Sequence, residues 1–293
     1  GDDNLPFENA GVLKTTGFEL QAKWSDKLSN GFAYSVGVAL SDDKAEVLSY
    51  PSNPTNKIGD GVLYKGYTVG DIWGYETGGI LQESDFDGVG PNGKPLYHGA
   101  YFKGGQPYPG YVWYQDLDHD GVITSGLSTV DDPGDKKVIG NNAPRYRYNI
   151  TANFQYKGFD LDLMFQGVGK RDYWLKDVSS YWGGGAGSWE TYNQSWTPER
   201  TDAKFPMYGS GIGSYAQSGY LLDASYIKLK QVILGYTFPK ALIGKVGLKK
   251  LRLNIAAYNL FTLSDVPKYY DSDYLSDAYP PKRTFSVGIQ VGF

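Results

Sequence analysis

Asp116, Asp118 and Asp120 stand at alternate positions and are followed by Gly121, Val122 and Ile123. Carboxylates at positions 1, 3 and 5 of a loop, then a turn glycine and a β-branched anchor, form the front half of an EF-hand. Such a cluster of hard oxygens is chemistry for Ca²⁺ or Mg²⁺. The back half departs from the pattern. Its twelfth position is Leu127 rather than a bidentate Glu, so Asp131 or Asp132 would have to close the shell. The same residues also spell an Asx-turn surface loop that holds no metal, and both readings stand.

Aromatic residues are the second candidate chemistry. Six of the seven tryptophans, Trp73, Trp113, Trp174, Trp182, Trp189 and Trp196, fall in segments without sustained alternation. Aromatic faces stack on sugar rings, so these residues are candidate contacts for a substrate or for a protein that closes over it. For any single Trp, packing a loop is the more economical reading. The two histidines, His98 and His119, lie in one irregular segment, and no phosphate-cradling loop or nucleophile elbow is present. No enzyme is expected, and a hydrolase ranks third among the functional classes. Cysteine is absent, which rules out disulfides and thiolate metal sites. A net charge of −4 gives no basic footprint for nucleic acid. The start, Gly1-Asp2-Asp3-Asn4, has no signal-peptide character.

The elements that position these residues alternate with period two. In the last twelve residues Phe285, Val287, Ile289, Val291 and Phe293 are apolar, while Thr284, Ser286, Gly288, Gln290 and Gly292 are small or polar. Successive strand side chains turn to opposite faces, so this is a strand with one apolar and one wet face. Six more segments read the same way, and together the seven strands are expected at 17–25, 31–43, 143–156, 158–169, 223–238, 248–263 and 282–293. Trp24 closes the first of them. Asn30-Gly31 and Lys157-Gly158 are tight-turn chemistry. Within 223–238 the apolar phase slips from Ile227 and Leu229 to Val232, Leu234, Tyr236 and Phe238, which predicts a bulge near Gln231. Arg145, Arg147, Lys250 and Arg252 fall on the wet face, where they either guide an anionic substrate or pair with carboxylates.

Short connections at 26–30, 157–158 and 239–247 alternate with long ones at 44–142, 170–221 and 264–281. Tyr67–Tyr75 and Tyr108–Gln115 are possible short strands inside the first long segment, which is expected to fold as a unit with no membrane crossing. Long loops on one side and short turns on the other are the habit of transmembrane β-barrels, whose strands need only about 9–11 residues. The predicted fold is therefore all-β: an antiparallel transmembrane barrel with the apolar row of 285–293 toward lipid and the polar row inward. Seven strands cannot close alone, so the chain is expected to be a fragment of a larger barrel. The rival reading is a soluble carbohydrate-binding β-protein with aromatic loops.

Several motifs carry a resemblance. They include Val138-Ile139-Gly140-Asn141-Asn142-Ala143-Pro144-Arg145-Tyr146, Tyr156-Lys157-Gly158-Phe159-Asp160-Leu161 and Phe165-Gln166-Gly167. Others are Trp196-Thr197-Pro198-Glu199, Asp223-Ala224-Ser225-Tyr226-Ile227-Lys228-Leu229, Leu234-Gly235-Tyr236-Thr237-Phe238-Pro239 and Asn259-Leu260-Phe261-Thr262. Together they resemble the SusC/RagA family of TonB-dependent outer-membrane transporters, over essentially the whole chain. The resemblance implies residues 1–293 as the C-terminal portion of a plugged barrel of about 22 strands, with the plug domain absent from this chain. It also implies TonB-driven uptake of glycans or peptides across the outer membrane of a Gram-negative bacterium of the Bacteroidetes type. The implied partners are the N-terminal barrel and plug of the same transporter, a SusD-like surface lipoprotein, the TonB complex and outer-membrane lipid.

Overall fold

The computed structural model describes residues 11–174, 192–210, 215–266, 271–275 and 281–293. Trp182 and Trp189 lie outside the described residues. The described chain is all-β apart from short helical turns. Its strands are β1 (Val12–Lys27), β2 (Ala33–Ser49), β3 (Asp71–Tyr75), β4 (Thr77–Ile80), β5 (Phe86–Val89), β6 (Pro95–Tyr97), β7 (Tyr101–Phe102), β8 (Val112–Tyr114) and β9 (Val122–Ile123). They continue with β10 (Lys136–Asn141), β11 (Arg145–Tyr156), β12 (Phe159–Lys170), β13 (Asp172–Trp174), β14 (Leu221–Asp223), β15 (Tyr226–Thr237), β16 (Lys250–Leu263) and β17 (Thr284–Gly292). Two compact units share them. The strand unit takes Thr16–Lys44, Pro144–Arg171 and Asp223–Phe293; the loop unit takes Ala45–Ala143 and Asp172–Leu222 with the segment ending at Thr15. The third long connection thus belongs with the strands, not with the other two long segments.

The strand unit is one sheet in the order β1-β2-β11-β12-β15-β16-β17. Its seven strands are the seven that alternation predicted, β1 and β2 running further than expected. Cross-strand partners sort by face. Leu251 faces Val291, Leu253 faces Ile289 and Ile255 faces Val287 on the apolar side; Arg252 faces Gln290 and Ala256 faces Ser286 on the other. Phe285, Val287 and Ile289 are largely exposed, so the apolar row has no cover within the described residues. The phase slip is real. Lys230 is skipped in the pairing of β15 with β12, and the pairing with β16 shifts at the same point.

One expectation is corrected. No closed transmembrane barrel is seen: the sheet is open, β1 and β17 each pairing along one edge, and ten short strands sit in five separate two-stranded sheets. The physical reason is that alternation specifies which face a side chain takes, not whether the sheet curls shut. Closure needs strands tilted to the barrel axis and staggered by a fixed shear, neither of which alternation encodes. No helix is long and apolar enough to cross a membrane, which leaves strand crossings unaddressed. Within 44–142 the strands are only two to six residues long.

The predicted hairpin turns form as their residues require. Lys157 (φ +48°) and Gly158 (φ +88°) are both left-handed, and Gly31 also has φ +88°. A Cβ on Gly158 would lie 2.6 Å from the Thr237 carbonyl oxygen, whereas one on Gly31 would meet nothing within 4 Å. Gly31→Ala should therefore cost about 1 kcal/mol from backbone strain alone, and Gly158→Ala about 1 kcal/mol or more beyond that. Equal shifts of the two variants in denaturant unfolding would refute the close approach at Gly158.

Candidate functional site

The acidic loop is held open from below by a residue that sequence inspection missed. Asp135, fully buried, accepts the Leu117 N–H on Oδ1 and the Thr124 N–H on Oδ2, each at 2.7 Å. That fixes both ends of the turn between them. Inside it, Asp116 accepts the N–H groups of His119 (2.7 Å) and Gly121 (2.8 Å), Asp118 that of Asp120 (3.2 Å) and Asp120 that of Val122 (2.8 Å). Partial desolvation works against the Asp116 carboxylate, but the Gly121 and His119 donors hold its pKa below the ordinary value. Asp118 is pushed the other way. The Asp120 N–H lowers it, yet desolvation, the charges of Asp135 and Asp120 and a hydrogen bond shared with Asp116 leave it raised. One oxygen from each of Asp116, Asp118 and Asp120 lies within 4.8 Å of the others, close enough to chelate a divalent cation. Neither Asp131 nor Asp132 joins this group.

The four described tryptophans of the long segments are spread through the loop unit, each with its own partners. Trp174 and Trp196 are buried, and Trp196 donates its indole N–H to Gln82 Oε1 at 3.0 Å. Trp73 is half-buried and donates to the Tyr64 hydroxyl at 2.8 Å. Trp113, in β8, lies flat on the backbone of Gly78. With Tyr97, Tyr101, Phe102 and Tyr114 it also lines a small cavity of about 50 Å³. Tyrosine fills much of this unit's interior, and burial pushes the Tyr75 phenol up to about 12.

The strand unit carries the larger concavities, and they lie along its wet face. A groove of about 560 Å³ is lined by Glu19, Gln21, Ser41, Arg147, Asn149 and Gln166 among others. A second, of about 440 Å³, shares Gln21 and Asn149 and adds Thr151, Asn153, Asp162 and Gln231. Amides donate and accept at once, so this face offers both partners to a hydroxyl or a peptide group. Its basic residues are already engaged: Arg145 with Asp42, Arg147 with Asp43, Arg252 with Asp160. Lys250 is exposed. Alternation had marked the wet face, but only register shows which amides converge.

A buried charge cluster closes one end of β15. Lys228, only 3% exposed, sends Nζ to Asp271 (2.8 Å) and Asp273 (2.8 Å), and Lys230 also reaches Asp273 (2.9 Å). Burial alone would raise the Asp273 pKa; hydrogen bonds from Lys228, Tyr226 and Lys230 outweigh it and bring it to about 2.

No protein-family model matches the chain. Among curated proteins, TonB-dependent receptor P3 of Formosa agariphila is 27% identical over 98% of this chain and 29% of its own length. A second TonB-dependent receptor of that bacterium is 24% identical over 99% of this chain and 30% of itself. The chain is a distant relative of TonB-dependent SusC/RagA-type receptors. It spans about three tenths of the length of these receptors. Among solved structures, the RagAB peptide transporter superposes with a TM-score of 0.71 at 18% identity, over 98% of this chain and 30% of that one. The RagAB peptide importer in its closed-closed state gives 0.67 at 17% identity, over 98% and 30%. At these identities the superpositions show a shared fold.

Three variants test the two built charge sites. Asp135→Asn keeps one acceptor for two amide donors and should cost about 2 kcal/mol, with amide exchange accelerating first at Leu117 and Thr124. Lys228→Met strands Asp271, leaves Asp273 with only Lys230 and Tyr226, and should cost about 3 kcal/mol. Because the Asp273 pKa is depressed, its stabilisation is complete above about pH 4 and fades as pH falls toward 2. Asp273→Asn should therefore lose stability at neutral pH and show a shallower decline in melting temperature between about pH 4 and 2. A decline as steep as the parent's would count against the coupling.

Proposed function

We propose that the chain is a carbohydrate-binding β-domain of a TonB-dependent nutrient-uptake system, its amide-lined sheet face holding an oligosaccharide. The observation that carries this reading is the 560 Å³ groove of Glu19, Gln21, Ser41, Arg147, Asn149 and Gln166 on a chain related from end to end to TonB-dependent receptors. Its volume is within the range of small-ligand sites. The RagAB structures, described as a peptide transporter and importer, support an oligopeptide as the other substrate class. Trp73 and Trp113 of the first long segment, with Trp174, Trp182, Trp189 and Trp196 of the second, are the proposed contacts for substrate or for a SusD-like lipoprotein partner. The remaining partners are the rest of such a receptor and the TonB complex, and the place is the outer membrane of a Gram-negative bacterium of the Bacteroidetes type.

The second reading is a carbohydrate-binding β-protein that works without a bilayer, and the open sheet favours it. The uncovered apolar row of β17 and its neighbours favours membrane association instead, since large exposed apolar patches mark interaction surfaces. Cell fractionation separates the two: recovery in detergent-extracted outer membrane supports the first, recovery in buffer the second. Binding is tested by calorimetry with neutral oligosaccharides and oligopeptides. Asn149→Leu with Gln166→Leu should weaken binding about tenfold or more; unchanged affinity would remove the groove from the proposal.

The same reading assigns Ca²⁺ or Mg²⁺ to Asp116, Asp118 and Asp120. Desolvation and the neighbouring charges of Asp135 and Asp120 raise the Asp118 pKa, a cost that a cation would relieve. Millimolar Ca²⁺ should raise the melting temperature of the parent and not of Asp118→Asn. No shift in the parent would leave the loop as a set of Asx turns.

A further inference from the structure

Beside the Lys228 cluster, and wholly within the strand unit, lies a third concavity of about 350 Å³. Its lining includes Lys228 on β15, Asn259 and Thr262 on β16, Asp271 and Ser272 on the following loop, and Arg283 just before β17. Two bulges build it. Lys230 is the extra residue of β15 against β12, and two β16 residues, Asn259 (φ +54°) and Leu260, stand opposite that single one. Bulges re-aim side chains and recur beside functional sites.

Three observations point to a ligand. Ser272 is 3% exposed and its hydroxyl has no hydrogen-bond partner. A buried hydroxyl left unpaired is costly, so something is missing from its surroundings. Second, the charge on the walls does not balance. Lys228 and Arg283 face a single lining carboxylate, Asp271, and Asp273 behind it is shared with Lys230. Third, Arg283 is exposed and has no salt bridge among the described residues. A guanidinium fork matches a carboxylate with two parallel hydrogen bonds.

We propose that this pocket binds one acidic sugar unit, a hexuronate, of an oligosaccharide, which refines the substrate class of the function proposed above and rests on it. Arg283 and the buried field of Lys228 take the carboxylate, and Ser272 completes its hydroxyl against the same group or a ring hydroxyl. Asp271, Asn259 and Thr262 supply acceptors and donors for the remaining hydroxyls. Phe261, Val266 and Pro281 add apolar surface for the face of a sugar ring, while the hydroxyl-, amide- and carboxylate-bearing walls suit its several hydroxyls. The volume fits a single unit rather than a chain.

The test is calorimetry on the intact chain with tetragalacturonate, its methyl ester and tetraglutamate. The free acid is expected to bind at least tenfold tighter than the neutral ester, the worth of one charge-assisted contact. Arg283→Gln should erase that preference. Ser272→Ala should weaken the acid several-fold while leaving the melting temperature unchanged or higher, because its hydroxyl has no partner to lose. Both variants avoid the Lys228 pairs, so the fold is kept. Equal binding of acid and ester overturns the pocket while leaving the oligosaccharide reading intact. Tetraglutamate binding in preference to the uronate overturns the sugar assignment. An acid preference that survives Arg283→Gln places the anion elsewhere and overturns it too, and no binding of the uronate at millimolar concentration overturns the pocket while leaving the groove reading to its own test with neutral oligosaccharides.

Discussion

Everything in the strand unit follows from the two-residue repeat of the pleated backbone. Because each strand keeps its phase against its neighbours, one face gathers Leu253, Ile255, Val287 and Ile289 and the other gathers Arg252, Asn254, Ser286 and Gln290. A shift of one residue would exchange the two sets along the whole strand. Charge pairing then reinforces register rather than creating it. Asp160 on β12 and Arg252 on β16 are not on adjacent strands; they meet across β15 over Gly235, which pairs with Asp160 on one side and with Asn254 on the other. A side chain there would occupy the space of the ion pair. The wet face is thus a set of interlocked polar contacts, and its free capacity lies in amides and hydroxyls rather than in the arginines.

Where the repeat is broken, the break is put to use. Val232, Leu234 and Tyr236 are even-numbered and apolar-facing, so an unbroken strand would put Lys228 among them. The extra residue Lys230 reverses the parity, and Lys228 instead pairs in register with Gln166 and Thr262 on the wet face. From there its ammonium reaches Asp271 and Asp273 and ties the third long connection to β15. A buried ion cluster of this kind costs desolvation and contributes little net stability. Its better-attested consequence is to fix which geometry is adopted, here the loop that walls the Ser272 pocket.

The strands were legible in the sequence because their signal is local. Seven alternating runs, two tight turns and one phase slip can each be read within a dozen residues, and all appear in the structure. What was not legible depends on distance along the chain. Asp135 lies eleven and eighteen residues from the two amides it holds, in a stretch that also offers Asp131 and Asp132, and nothing in composition separates the three. The Lys228 partners sit more than forty residues away. Closure of the sheet was inferred from loop lengths, which report on which side a connection lies and carry no information about curvature or about what pairs with β1 and β17.

The aromatic residues show why composition alone is a poor guide to a site. A unit with strands of two to six residues has too little regular structure to bury large aliphatic layers, and tyrosine takes their place. Tyr75, Val112, Tyr114 and Ile123 form one small core, and Val47, Ile58, Tyr64 and Tyr67 another. Each buried phenol brings a polar tip that must be satisfied, which is why fully buried Gln217 donates to Tyr114 at 3.1 Å and Trp73 to Tyr64. The richness in Tyr and Trp is therefore largely consumed in holding the loops together. Side chains with capacity left over, the amides of the sheet face and the hydroxyl of Ser272, are fewer and chemically plainer. Recognition by this chain is accordingly argued from unsatisfied polar groups, because a residue already committed to the fold has little left to offer a ligand.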